Sequence, residues 1–157
     1  MRHRILFVCL GNICRSPMAE GVFRKVAVDA GLLDHLVIDS AGTGNWHVGD
    51  PPDPRAQAAT SLRGIDISGL RARQVSNQDF DNFDLLLAMD QSNHSDLTSL
   101  GAGEAVDRVR LFLDYAPDLG LRDVPDPYYG GKDGFDDVLN LVELASEGLL
   151  RELQSGL

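Results

Sequence analysis

A cysteine and an arginine separated by five residues stand near the start of the chain, in Val8-Cys9-Leu10-Gly11-Asn12-Ile13-Cys14-Arg15-Ser16-Pro17. A thiolate is a strong nucleophile, and a planar guanidinium grips two oxygens of a phosphate at once. The run Ile5-Leu6-Phe7-Val8 before them is apolar and partly β-branched, which predicts a buried strand. Ser16-Pro17 after them predicts a helix start, with Ser16 as cap and Pro17 at the first helical position. A loop that leaves a strand and enters a helix turns several backbone N–H groups toward one point, and that concavity holds an anion. Cys9 then lies at its floor and Arg15 at its rim. Helix N-terminus, inward N–H groups and guanidinium all favour the thiolate over the thiol. Gly11 permits close backbone approach, Asn12 tolerates a left-handed conformation, and Ser16 has a hydroxyl to steady sulfur as a leaving group. The chemistry this points to is phosphoryl transfer to sulfur. A lone cysteine on an apolar strand is ordinarily a core residue. The Gly-Asn pair inside the loop and the Ser-Pro behind it argue for a site instead.

The rest of the chain has to hold that loop. Met18, Val22, Val26 and Ala30 recur every four residues, with Phe23 and Ala27 beside them, and mark one apolar face of a first helix that Gly31 ends. Val37 to Ala41 reads as a second strand and residues 42–52 as a loop. Asp53-Pro54 opens a second helix running to about Arg63, with Asp53 as its cap. Residues 65–76 read as irregular and 77–82 as a short helix. Phe83 to Met89 is a third strand, apolar enough to be buried on both faces, and Ser92 to Leu100 a helix. Val109 to Leu113 is a fourth strand, residues 114–134 a long Pro- and Gly-rich loop, and Phe135 to Leu153 a closing amphipathic helix. Strands alternating with helices predict one α/β domain over residues 1–157: a four-stranded parallel sheet, helices on both faces, Rossmann-like. Sites in such folds lie beyond the carboxyl ends of the strands, where Cys9 falls.

Bulk composition narrows the classes. The 157 residues suit one core, and 43% hydrophobic with 24% charged residues is ordinary for a globular chain. The net charge of −10 disfavours nucleic acid and anionic membranes as partners. It also demands that any phosphate site be locally positive. No apolar run approaches the ~20 residues that cross a bilayer, and the run from Ile5 to Leu10 is too short for a signal peptide. Two cysteines inside one loop make no disulfide framework and fit a reducing cytoplasm. His3, His35, His47 and His94 show no ligand spacing and read as surface or loop residues, so no metal or other cofactor is expected.

Hydrolysis of a phosphate monoester also needs a proton for the leaving oxygen. Asp50, Asp53 and Asp126 all precede prolines, and the residues alone leave the donor open. Asp53 is accounted for as a helix cap, and an Asp-Pro carboxylate is often only part of a solvated turn.

Val8 to Pro17 resembles the signature loop of the low-molecular-weight protein tyrosine phosphatases. The resemblance continues through Asp39-Ser40-Ala41, Trp46 to Arg55, Ala72-Arg73-Gln74, Met89 to Asn93, and Asp126-Pro127-Tyr128-Tyr129-Gly130. It implies Cys9 as nucleophile, Arg15 as phosphate clamp and Asp126 as general acid and base. It also implies a phosphate-binding loop of Leu10, Gly11, Asn12, Ile13, Cys14 and Ser16. Asn12, Ser16 and Ser40 match a hydrogen-bonded brace under that loop, and Asp90 matches an aspartate read here as structural. Trp46, Tyr128 and Tyr129 are implied as pocket walls suited to a phenyl ring, with Leu10 and Ile13 adding an apolar rim. Cys14 matches a cysteine that in relatives forms a reversible disulfide with the nucleophile. The two tyrosines match sites that kinases modify in some relatives. Many relatives place a histidine where this chain has Leu70, so Ser16 must be supported differently here. The expected substrates are phosphotyrosine proteins or peptides and small aryl phosphates, the product inorganic phosphate, and the state a cytoplasmic monomer.

Three other activities compete. Arsenate reduction relays electrons through further cysteines, and this chain has none beyond Cys9 and Cys14. A phosphate carrier needs no acid at Asp126. A module that binds phosphotyrosine without cleaving it needs no intact Cys9, Arg15 and Asp126 together.

Overall fold

The structure, a computed structural model, describes residues 2–101, 103–131 and 133–156. The end residues of the expected domain, 1 and 157, lie outside the described residues. The elements in order are β1 (His3–Cys9), α1 (Arg15–Asp29), β2 (Leu36–Gly42), α2 (Pro54–Ser61), α3 (Gln78–Asn82), β3 (Leu85–Ala88), α4 (Gln91–Gly101), β4 (Val109–Leu111) and α5 (Gly134–Ser155). The four strands form one parallel sheet in the order β2-β1-β3-β4.

β1 is a central strand because its side chains are apolar on both faces. Ile5, Phe7 and Cys9 face the core made with α1, α2 and α5; Leu6 and Val8 face Phe80 of α3 and Leu97 of α4. Helices therefore cover both sides of the sheet, as the alternation of strand and helix patterns predicts. Phe7 anchors the first core, with its ring edge-on to Phe23 at 5.7 Å and to Phe112 at 5.0 Å. The α5 positions read as apolar, Phe135, Val138, Leu139, Val142, Leu149 and Leu153, are all buried. Asp53 caps α2 as expected, accepting from the Arg55 N–H at 2.8 Å. No helix among the described residues is long and apolar enough to cross a membrane.

Four local expectations are corrected. α1 begins at Arg15, and Ser16 is not its cap: no side chain caps this helix, and the Ser16 hydroxyl turns inward to Cys9 instead. Ala30 is exposed rather than part of the buried stripe, because α1 is enclosed mainly over its first nine residues and emerges toward its end. β3 is shorter than residues 83–89. β4 stops at Leu111, and Phe112 to Tyr115 form a 3-10 turn. Phe112 and Leu113 are buried, and a buried turn carries the same apolar run as a buried strand.

That turn meets α5 at Gly148. A Cβ there would sit 1.8 Å from the Tyr115 carbonyl oxygen, which is backbone and has no room to yield. Helix propensity alone favours Ala over Gly by about 1 kcal/mol, whereas overpacking costs about 1–3 kcal/mol. Gly148→Ala is therefore expected to destabilise the fold, seen as a lower urea midpoint; an unchanged or higher midpoint would contradict this contact.

Candidate active site

Cys9 is the last residue of β1, and residues 10–14 carry the chain from it into α1. Asn12 makes the turn possible. Its φ of 57° is the one left-handed value outside glycine among the described residues, and it aims its backbone N–H at the Cys9 sulfur, 3.3 Å away. The Asn12 side-chain amide is fully used. Nδ2 donates to Ser16 Oγ at 2.8 Å and to Ser40 Oγ at 3.0 Å, and Oδ1 accepts from the Arg73 N–H at 3.0 Å. Because both hydroxyl oxygens accept from Asn12, each keeps its own proton to give away. Ser16 Oγ lies 3.0 Å from Cys9 Sγ and 3.4 Å from the Ala41 carbonyl, both able to accept that proton; Ser40 donates to Glu20 Oε1 at 2.8 Å. A backbone N–H and a hydroxyl thus face one sulfur.

The expected brace of Asn12, Ser16 and Ser40 is present, with two partners the sequence did not reveal. Glu20 is 2% exposed. Burial pushes its carboxyl up, only partly offset by hydrogen bonds from Ser40 and Arg24. Arg73 supplies its backbone N–H to Asn12 while its guanidinium spans Asp39 and Asp79. Leu70 is a partly buried side chain packed on the core. The support of Ser16 comes from Asn12 rather than from that position.

The Arg15 side chain is 4% exposed. Nη1 is spent on the fold, donating to Asp90 at 2.6 Å and to the Val124 carbonyl at 3.0 Å. Asp90 also accepts from the Asn93 N–H at 2.7 Å, so the residue that opens α4 orients the arginine as well. Burial weighs against the Arg15 charge, but Cys9, Asp90 and Asp126 outweigh it and hold its pKa above the ordinary value.

Asp126 comes from the long loop, anchored by Val124 N–H donating to Met89 at 2.7 Å. Its Oδ1 accepts from the Tyr128 N–H at 3.1 Å, and its Oδ2 lies 3.6 Å from Arg15 Nη2. Cys9, Cys14, Arg15 and Asp126 line one cavity of about 310 Å³. Leu10, Ile13, Trp46, Tyr128 and Tyr129 are its sides, where the resemblance placed them. Tyr128 and Tyr129 stand edge to face at 4.8 Å. Tyr128 is backed by the Arg55 guanidinium at 5.3 Å, which both oxygens of Asp53 hold at 3.0 and 2.9 Å.

His47, read from sequence as a surface or loop residue, also lines the cavity. Its ring lies over Gly11, where a Cβ would come within 3.1 Å of Cδ2, and its Nδ1 is 3.3 Å from Asp50. His3, His35 and His94 are not among the lining residues. Cys9 and Cys14 are both free thiols. Burial, then Asp53, Cys9 and Asp126, push Cys14 up to about 12, so it is a neutral thiol at neutral pH. Among the described residues no group of three or more His, Cys, Asp or Glu is placed to hold a metal ion.

The raised carboxyl of Glu20 makes stability depend on pH with a definite sign. The folded state binds its proton more tightly than the unfolded chain, whose Glu titrates near ~4.3, so the contribution of Glu20 falls as pH rises past that value. The stability of Glu20→Gln relative to wild type should therefore increase between pH 4 and pH 7 in urea unfolding; a difference that stays flat or moves the other way would contradict the buried carboxyl.

Comparison with known proteins shows the family. Residues 4–156 match the family model described as low molecular weight phosphotyrosine protein phosphatase. The low molecular weight protein-tyrosine-phosphatase YfkJ of Bacillus subtilis is 47% identical over 150 residues, 96% of this chain and 95% of that one. The crystal structure of YfkJ from Bacillus subtilis superposes with a TM-score of 0.94 over 99% of this chain and 97% of that one, at 44% identity. The drosophila arginine phosphatase DARP superposes with a TM-score of 0.88 at 32% identity, covering 98% of each chain. With the family model matched over nearly its whole length, this chain belongs to the low molecular weight phosphotyrosine protein phosphatases.

Proposed function

We propose that the protein hydrolyses phosphotyrosine in proteins, and small aryl phosphates, through a phosphocysteine intermediate. The observation that carries this reading is the meeting of Cys9, Arg15 and Asp126 in one cavity, with the Cys9 sulfur facing the Asn12 N–H and the Ser16 hydroxyl. The phosphate sits in the loop of residues 10–15, its outer oxygens on backbone N–H groups and on Arg15. Cys9 Sγ attacks phosphorus in line, and the bond to the aryl oxygen breaks as Asp126 delivers a proton to that oxygen. Asp126 then takes a proton from water, the water oxygen attacks phosphorus, and the S–P bond breaks. Ser16 and Asn12 stabilise the departing thiolate. Inorganic phosphate leaves, and no metal takes part.

The sides of the cavity support the substrate class. Ile13, Trp46 and Tyr128 give the cavity apolar and aromatic sides, which suit a phenyl ring. A charged guanidinium would lose hydration against the same walls. Phosphoarginine is therefore the informative control, given the structural likeness to DARP. Two free thiols suit a reducing compartment, and we place the enzyme in the cytoplasm as a monomer acting on phosphoproteins.

The test is turnover of p-nitrophenyl phosphate and of a phosphotyrosine peptide in the presence of a chelator. Wild type should be active on both, with phosphoarginine peptides turned over at least tenfold more slowly. Cys9→Ser should abolish turnover. Asp126→Ala should lower kcat on the peptide about 10²–10⁴-fold while leaving inhibition by inorganic phosphate intact. Full activity in either variant, or dependence on a metal, would refute the assignment.

A further inference from the structure

A second groove runs alongside the active-site cavity and shares two walls with it. Leu10 and Trp46 line both. The groove has a volume of about 660 Å³, roughly twice that of the cavity, and Asp96 and Leu100 of α4 lie on it. Three of its large apolar side chains are exposed: Leu10 at 42%, Trp46 at 69% and Leu100 at 41%. Exposed apolar groups gathered around one concavity mark a contact surface.

Trp46 owes its position to the fold. A Cβ on Gly44 would fall 1.9 Å from the indole ring, so only glycine there lets the ring lie down between the two cavities. Several polar groups of the groove are unspent. Asp96 is exposed and forms no ion pair among the described residues, and neither Lys nor Arg lines the groove. The Thr43 hydroxyl, which lies along it, has no hydrogen-bond partner in the described structure. Gln74 uses its amide N–H on the Thr43 carbonyl at 3.2 Å and keeps its amide oxygen free.

We propose that this groove receives the residues next to phosphotyrosine in a protein substrate, and that it selects an aliphatic side chain together with a lysine or arginine. The inference rests on the phosphotyrosine reading above. With the phosphorylated ring in the cavity, the substrate chain leaves across the Leu10–Trp46 rim and the groove is what it meets. The aliphatic side chain lies between Leu10, Trp46 and Leu100. The basic side chain reaches Asp96, and the net charge of −10 favours the same kind of partner at long range.

The test compares kcat/KM for p-nitrophenyl phosphate and for three sets of phosphotyrosine peptides. One set carries a Leu-Lys pair, one Ala-Ala and one Leu-Glu, each placed before or after the phosphotyrosine. Wild type should prefer a Leu-Lys peptide about tenfold over the Leu-Glu one. Asp96→Lys should reverse that preference, and Leu100→Ser should erase the advantage of Leu over Ala, both with p-nitrophenyl phosphate turnover kept within twofold. Equal kcat/KM for all peptides, or preferences untouched by both variants, would overturn the groove assignment while leaving the phosphatase reading standing. A change of oligomeric state in gel filtration with no change of peptide preference would make the groove a contact between copies and overturn it too. Absence of p-nitrophenyl phosphate turnover in wild type would instead bring down the phosphatase reading, and the groove assignment with it.

Discussion

The Asn12 carboxamide is the tie on which the site depends. Three hydrogen bonds from one side chain join the loop to α1 through Ser16, to β2 through Ser40 and to the chain near Arg73. With all of them made, the left-handed backbone at Asn12 is fixed and its N–H stays on the sulfur. A buried polar network of this kind is stable only when it is complete. Losing Asn12 would leave the Arg73 N–H without its partner, at about 1–3 kcal/mol for a buried group, and would take one hydrogen bond from each of the two hydroxyls.

Charge is the second constraint. A chain of net charge −10 that is to hold a dianion needs local positive charge, and the buried Arg15 supplies it in this cavity. Asp90 works against this by pairing with Arg15. Its pull is confined to Nη1, which fixes the plane of the guanidinium and leaves Nη2 on the side of Asp126. The arrangement trades some positive potential for orientation. In phosphoryl transfer, where positioning of oxygens dominates, orientation is the more valuable of the two.

Much of this was legible in the sequence because it is local. The apolar run before Cys9 and the five-residue span to Arg15 needed no distant partner to be read, and the alternation of periods gave the sheet and its two helical layers. What stayed hidden depends on contacts far apart in sequence. Arg15 and Asp90 are 75 residues apart, Asn12 and Arg73 are 61 apart, and nothing near Glu20 hints that Ser40 will reach it. Arg55 backs the tyrosine wall across a gap of 73 residues, which no local pattern shows. Ser16 misled for an instructive reason: a serine before a proline at a helix start has the pattern of a cap as well as of a partner for the sulfur, and in the fold only the second role is taken. The overlong fourth strand failed because burial, not strand pairing, set its composition.

The chemistry assigned to Cys9 has one direct measurement. With p-nitrophenyl phosphate the leaving group needs little help from an acid, so Asp126→Ala should form the thiophosphate ester readily and hydrolyse it slowly. Rapid mixing should then give a burst of p-nitrophenol equal to the enzyme present, and acid quench with peptide mass analysis should find one phosphoryl group on the peptide bearing Cys9. Absence of a burst, together with unmodified Cys9 during steady turnover, would contradict sulfur as the nucleophile.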